Sequence, residues 1–307
     1  MSSLLPRMAV CLAVYNGCPW LSEQVDSILA QKGVEVTVFV SVDASSDNSE
    51  GLVDQMAASD ARLQVLAHGR RFGGAAPNFF RILSEVDFSE FDYVAFADQD
   101  DIWSLDKLRH AHEKLQVTGA DAYSSNVVAI WPNQRTVLID KSQKQVRWDF
   151  LFEAAGPGCT YVLRRELACA VQALVRSRWP EVRQVGLHDW FVYAFARACG
   201  YRWVIDDYAG MLYRQHEKNQ VGVNLGRQAL LHRARKIFSG WGLRQSALIA
   251  KLVGLGNDPF VRQWSGGSRA GLLRLACHAW QCRRRVRDKL LFSLLCLVLC
   301  FAEKPHQ

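Results

Sequence analysis

The sequence predicts an α/β protein, a mostly parallel sheet with helices on both faces, followed by a helical, basic C-terminal extension. Three observations carry this. Short apolar runs rich in Val and Ala alternate with segments of helical period through the first half of the chain, the pattern of repeated βαβ units. Polar boxes of Asp, Asn and Ser directly follow those runs, beyond the strand ends where such sheets bind ligands. The charge is divided. Residues 216–307 hold sixteen Lys and Arg against four Asp and Glu, a net +12 within a chain total of +7, so the remainder carries −5.

The elements follow in order. Met8–Val14 is an apolar run ended by Asn16-Gly17 and reads as a first strand rather than a signal peptide. Pro19 can open a helix, and Leu21, Val25, Ile28 and Leu29 then share one helical face. Val34–Val42 is a Val-rich strand, Leu52, Val53, Met56 and Ala57 mark a second helix, and Leu63–Ala67 is a short strand. A glycine-bearing loop, Gly69–Pro77, leads to a helix around Asn78–Val86; Tyr93–Ala97 is a strand and Leu105–Val117 a helix. From about Ala120 to Arg214 the pattern is mixed, with helices near Glu166–Val175 and Asp189–Cys199. Beyond His216 it turns helical and basic, with Leu230, Leu231, Ala234, Ile237 and Phe238 on one face. A length of 307 residues suits about two units. The boundary is expected near residue 222, between an α/β domain (7–222) and a basic helical region (223–307).

Composition narrows the function. At 50% hydrophobic and 22% charged residues the chain is neither disordered nor fibrous. Its nine cysteines are odd in number and include no C-x-x-C pair, which favours a reducing cytosol over a disulfide framework or a zinc site. No G-x-G-x-x-G follows the first strand and no P-loop occurs, so this is not an ordinary dinucleotide or P-loop site. The longest apolar run, Leu290–Ala302, would reach about 20 Å as a helix, short of a hydrocarbon core of about 30 Å. It follows Arg283-Arg284-Arg285-Val286-Arg287-Asp288-Lys289. Basic cluster and short apolar helix together predict a peripheral place on an anionic membrane; a C-terminal helix packed on its own domain is the alternative. No helix-turn-helix, zinc-finger or RNA-binding signature accompanies the basic residues, so nucleic acid is not an expected partner.

Four boxes can carry chemistry. Asp98-Gln99-Asp100-Asp101 follows a buried strand. In extended chain Asp98 and Asp100 would point the same way, and two close carboxylates suit a hard divalent cation, Mg²⁺ or Mn²⁺. The bland reading is a solvated loop in which Asp101 caps the next helix. At the end of the second strand Asp43 can accept hydrogen bonds from a base or ribose, while Ser46, Asp47 and Asn48 can equally be helix caps. His188-Asp189-Trp190 opens a helix, and Asp189 reads either as a general base or as an acid favoured by the helix dipole. Tyr213-Arg214-Gln215-His216 ends a strand, with Arg214 a diphosphate partner and His216 a metal ligand or a structural histidine.

Together these boxes resemble family 2 glycosyltransferases. Val10-Cys11-Leu12-Ala13-Val14-Tyr15-Asn16-Gly17 resembles their opening strand and turn, Asp43-Ala44-Ser45-Ser46-Asp47 their D-G-S-x-D box, and Asp98-Gln99-Asp100-Asp101-Ile102-Trp103 their D-x-D box. His188-Asp189-Trp190 and Tyr213-Arg214-Gln215-His216, with Asn219, Val221 and Gly222, look like the bacterial rhamnosyltransferase branch. The likeness spans roughly residues 8–222. Val42 stands where many members carry a first Asp, and Ala44 where they carry Gly.

The resemblance implies a GT-A fold, a nucleotide-sugar donor (dTDP-L-rhamnose favoured, a UDP-hexose the alternative) and a divalent metal. It implies donor contacts from Asn16, Asp43, Asn78, Asp98 and Arg214, and metal ligation by Asp100, Asp98 and His216. Asp189 would be the catalytic base, with Trp103, His188 and Trp190 on the acceptor side. The implied reaction is an inverting transfer to a lipid-linked saccharide, in lipopolysaccharide core or O-antigen synthesis, at the cytoplasmic face of the inner membrane. A catalytically silent nucleotide-sugar binder at the membrane is the rival of a different class.

Overall fold

The computed structural model describes residues 5–216 and 240–301. The expected helical face at Leu230–Phe238, the boundary near 222, and Asn219, Val221 and Gly222 lie outside the described residues.

The first half folds as β1 (Arg7–Val14), α1 (Leu21–Leu29), β2 (Glu35–Val42), α2 (Ser49–Ser59), β3 (Leu63–Val65), α3 (Ala75–Glu85) and β4 (Tyr93–Asp98). β1 pairs in parallel with both β2 and β4, and β2 with β3. The register sets Val14 opposite Val42 and Ala13 opposite Asp98, so the carboxyl ends of β1, β2 and β4 finish side by side. After β4 come β5 (Ile102–Trp103), α4 (Lys107–Thr118), β6 (Ala122–Ser125), β7 (Val127–Ile130), β8 (Thr136–Ile139) and β9 (Val162–Arg164). Then follow α5 (Arg165–Ser177), α6 (Trp179–Val182), α7 (His188–Ala198), β10 (Trp203–Asp206) and β11 (Met211–Arg214). The main sheet runs β10-β6-β9-β4-β1-β2-β3, with β9 antiparallel to both its neighbours. A second sheet, β5-β11-β7-β8, stands above the carboxyl ends and carries β11 back across them.

Both faces of the main sheet are covered, which is why its strands read as nearly unbroken apolar runs. The period-2 alternation of β1 divides its side chains between two cores. Met8, Val10 and Leu12 pack with Leu21, Val25, Ile28 and Leu108 under α1 and α4. Ala9, Cys11 and Ala13 pack with Phe79, Phe80, Leu83 and Phe191 under α3 and α7.

The C-terminal residues form α8 (Trp241–Leu252), α9 (Pro259–Trp264), α10 (Arg269–Cys277), α11 (Ala279–Cys282) and α12 (Val286–Phe301). Asp258 caps α9 through the Phe260 and Val261 amides, and Ser268 caps α10 through Gly271. Ile249, Trp264, Leu275, Cys282, Phe292 and Cys296 join the core that lies under α7. The basic cluster, expected to face a membrane, is in part turned inward. Arg284 is 6% exposed and lies 3.6 Å from Asp149 and 3.8 Å from Glu153. Arg283 pairs with Glu153 and Arg285 with Asp140. Buried carboxylates draw guanidinium groups in because each charge needs a partner out of water. Among the described residues no helix is long and apolar enough to cross a membrane.

Candidate active site

Three turns meet at the carboxyl ends of β1, β2 and β4, and they are laced to one another. Asn16 sits at a left-handed φ of 49°, and its side-chain oxygen accepts from the Ser46 amide at 2.7 Å. Its own amide donates to the Ser45 hydroxyl at 3.0 Å, and the Gly17 amide to Ser49 at 2.8 Å. Asp43 is 3% exposed and accepts the Phe72 and Gly73 amides, one on each oxygen, at 2.7 and 2.9 Å. This orients the carboxylate and leaves lone pairs for a further donor. Ala44 has no left-handed φ, so the turn after Asp43 needs no glycine. Asn78 is buried beneath these turns: it accepts from the Ser41 hydroxyl at 2.5 Å and donates to the Val14 and Ser41 carbonyls. As placed, it ties β1 to β2 from below rather than opening onto a ligand.

The turn after β4 departs from the extended path expected from sequence. The strand ends at Asp98, and residues 99–100 turn. This brings Asp101 back toward Asp98, so that these two carboxylates and the Cys159 thiol lie within 4.8 Å of one another. Asp101 is 1% exposed, and among the described residues neither of its oxygens has a hydrogen-bond partner of normal geometry. It does not cap the next helix. Burial, then the neighbouring Asp100 and Asp98 charges, push its pKa well above the carboxylate range. Asp98 is pushed up to about 7, first by burial and then by Asp100 and Asp189. Asp100 meets His216, Oδ2 to Nε2, at 2.7 Å.

Clustered buried acids suit a cation with oxygen ligands, which would favour their charged forms, and His216 completes such a set chemically. His216 is held from its far side by a near-parallel stack on Trp20 at 4.0 Å. Arg214 donates to the Asp100 carbonyl at 3.1 Å and pairs with Glu23 of α1 at 2.5 Å. β11 thus delivers both residues onto the D-x-D turn.

Asp189 lies in the first turn of α7. One of its oxygens accepts the Trp190 amide at 2.7 Å, and burial lifts its pKa to about 6. Its charge is among those that raise the Asp98 pKa, after burial and Asp100. His188 stacks on Phe79 at 3.8 Å and is held neutral, its pKa pushed down to about 3 by burial. Trp190 is buried and donates to the Phe150 carbonyl at 2.9 Å. Trp103 is 3% exposed under the Lys107 ammonium, which lies 3.5 Å from its ring centroid. These three, expected on the acceptor side, are all buried in this state.

Several site residues escaped the sequence reading. Gln99, the middle residue of D-Q-D, clips the preceding turn by accepting the Tyr15 amide at 2.7 Å and donating to the Tyr15 carbonyl at 2.8 Å. Gly158 lies against α7, where a Cβ would stand 2.6 Å from His188 Nε2 and 3.2 Å from Asp189 Cβ. Cys159 follows it under the acids. The Gly156-Pro157-Gly158 run is the turn signal that marks this segment in the sequence.

The chain is similar to known proteins. The family model described as glycosyl transferase family 2 matches residues 9–168. The chain is 40% identical over 289 residues to the dTDP-rhamnosyl transferase RfbG of Shigella flexneri, covering 94% of this chain and 99% of that protein. It is 26% identical to the Escherichia coli UDP-Glc:alpha-D-GlcNAc-diphosphoundecaprenol beta-1,3-glucosyltransferase WfgD, over 52% of this chain and 61% of that one. Among solved structures, S. aureus TarS with UDP superposes with a TM-score of 0.55 at 14% identity, covering 96% of this chain and 89% of that one. The Pyrobaculum calidifontis mannosyltransferase PcManGT with GDP-Man and Mn²⁺ gives 0.54 at 17% identity, covering 97% and 86%. At such low identity these two likenesses speak to the fold, which is GT-A, with helices after the catalytic sheet. The family match and the near full-length relative settle the membership: the chain is a glycosyltransferase and belongs to glycosyl transferase family 2.

Proposed function

We propose that this protein transfers L-rhamnose from dTDP-L-rhamnose, with inversion, to a lipid-linked saccharide in bacterial cell-surface polysaccharide synthesis. One observation carries the reading: the Gly158-Cys159 segment lies against both Asp189 and the acid turn, since a Cβ at Gly158 would stand 3.2 Å from Asp189 Cβ and the Cys159 thiol lies within 4.8 Å of the Asp98 and Asp101 carboxylates. The choice of donor is supported by the extent of identity to the Shigella relative. Asp43 would accept from the thymine base, with Asn16 and Asn78 shaping the turns around it and Asp98 toward the ribose. Mg²⁺ or Mn²⁺ would be held by Asp100, Asp98 and His216 and would supply Lewis-acid neutralisation of the diphosphate. Arg214 stands beside the same phosphates as a fixed positive charge.

Asp189 takes the proton of the acceptor hydroxyl as the acceptor oxygen bonds to the anomeric carbon. The bond from that carbon to the diphosphate oxygen breaks, and the nucleoside diphosphate leaves with the electron pair. A single displacement of this kind needs one carboxylate base and passes an oxocarbenium-like state. The acceptor is met at the cytoplasmic face of the inner membrane, where the basic C-terminal region, residues 223–307, brings the enzyme.

The purified protein with Mn²⁺ or Mg²⁺ is expected to move label from dTDP-rhamnose to a membrane lipid fraction, with mass spectrometry identifying the added deoxyhexose. Retention of full activity by both Asp100→Ala and Asp189→Ala would overturn the site assignment. Turnover of UDP-glucose in place of dTDP-rhamnose would overturn the donor.

A further inference from the structure

Helix α12 buries one face and leaves another in solvent. Phe292, Cys296 and Cys300, spaced four apart, turn into the protein. Leu290, Leu291, Leu294, Leu297, Val298 and Phe301 remain outside, with Leu290 and Leu294 each 57% exposed and Phe301 77%. The spacing puts these side chains on a continuous apolar stripe. Trp280 extends it from α11, 54% exposed, with the Lys289 ammonium 5.7 Å from its ring centroid. A monomer in water gains nothing from holding such a stripe outward.

The charge around the stripe identifies its occupant. Residues 240–301 contain ten Lys and Arg and only two acids, Asp258 and Asp288. Asp258 is engaged as the α9 cap, and Asp288 lies 3.9 Å from Arg283 and 3.3 Å from Arg287. Arg269 and Arg274 of α10, packed against α12, are exposed. The surface therefore offers apolar side chains in a positive rim with no uncompensated acid. A second copy of this face would set like charge against like. At sixteen residues α12 is about 24 Å long, too short to span. Apolar depth, basic rim and insufficient length match the surface of an anionic bilayer.

We propose that the α12 stripe with Trp280 is a docking face that lies in the plane of an anionic membrane. The inference deepens the membrane reading above and rests on it. Arg283, Arg284 and Arg285 do not serve the lipid. They pin the docking helix to Glu153, Asp149 and Asp140 of the catalytic part, so that membrane contact orients the site.

The test is vesicle co-sedimentation of the full chain. Phosphatidylglycerol-containing vesicles should bind the protein, pure phosphatidylcholine vesicles weakly, and added salt should narrow the difference. The double variant Leu290→Asp, Leu294→Asp should lower binding about tenfold or more, and Arg269→Glu, Arg274→Glu should remove mainly the anionic preference. Both pairs are exposed, and an unchanged melting curve confirms that they fold. Absence of vesicle binding by the parent chain, or binding unchanged in the Leu variant, overturns the proposal. So does a parent dimer that the Leu variant splits without loss of vesicle binding, which assigns the stripe to a second copy. Release of nucleoside diphosphate from dTDP-rhamnose in solution separates the two readings. Turnover without vesicle binding sinks the docking face alone, and vesicle binding without turnover sinks the proposed reaction alone.

Discussion

Asp189 must be ionised to accept a proton, and burial raises its pKa to about 6. A base with a raised pKa is lost as pH falls through that value, so kcat/KM should be level above about pH 7 and fall tenfold per unit below about 6. Asp189→Asn should lower kcat by roughly 10²–10⁴ with donor KM little changed. A profile that stays flat to pH 5 would remove Asp189 from the role. Gln99 makes a different prediction. Its side chain holds the Tyr15 backbone through two hydrogen bonds. Each is worth about 0.5–1.5 kcal/mol. Gln99→Ala should therefore raise donor KM by about tenfold while the thermal midpoint moves little, and Gln99→Glu, which cannot donate to the Tyr15 carbonyl, should recover only part of the loss. Equal KM in the parent and Gln99→Ala would show that the clip does not shape the donor turn.

At the scale of elements, α7 is the piece whose placement matters most. Its N-terminal turn carries Asp189 and packs both on Phe79 of α3 and against the 158–160 turn. Gly158 is what permits the approach, since a methyl group would meet the His188 ring, itself fixed on Phe79. Gly158→Ala should shift the start of α7 by a few tenths of an ångström or more and lower kcat by about tenfold to a hundredfold, because misplacement on that scale is costly to a reacting geometry. Kinetics at saturating donor would read this, and an unchanged kcat would mean that α7 tolerates the shift.

For the whole molecule, the link between the catalytic sheet and the C-terminal helices is polar as well as apolar. Asp149, fully buried, is shared by Tyr193 and Arg197 of α7 and by Arg284 beyond α11. Arg284→Met keeps much of the volume and removes the charge, leaving Glu153 and Asp149 with less compensation. Breaking one side of such a buried cluster costs about 3–5 kcal/mol. A clear drop in melting temperature is expected, relieved in part by pairing the change with Glu153→Gln. No drop would show that Arg197 alone satisfies Asp149.

The sequence by itself determined the order of strands and helices in the first half, because the apolar period there is set by burial on both faces of a parallel sheet. It also determined the acid and amide boxes at the ends of β1, β2 and β4, since chain order alone places them beyond strand termini. Tertiary structure decided what no local pattern encodes. The turn at residues 99–100 pairs Asp98 with Asp101 and sends Asp100 to His216, more than a hundred residues away. Trp103, His188 and Trp190 are buried by contacts from distant segments, and the role of Gly158 depends on a helix thirty residues later. The arginines at 283–285 read as a membrane cluster in one dimension. They turn inward in three, because buried Asp149 and Glu153 come from a distant segment and leave charges that must be met.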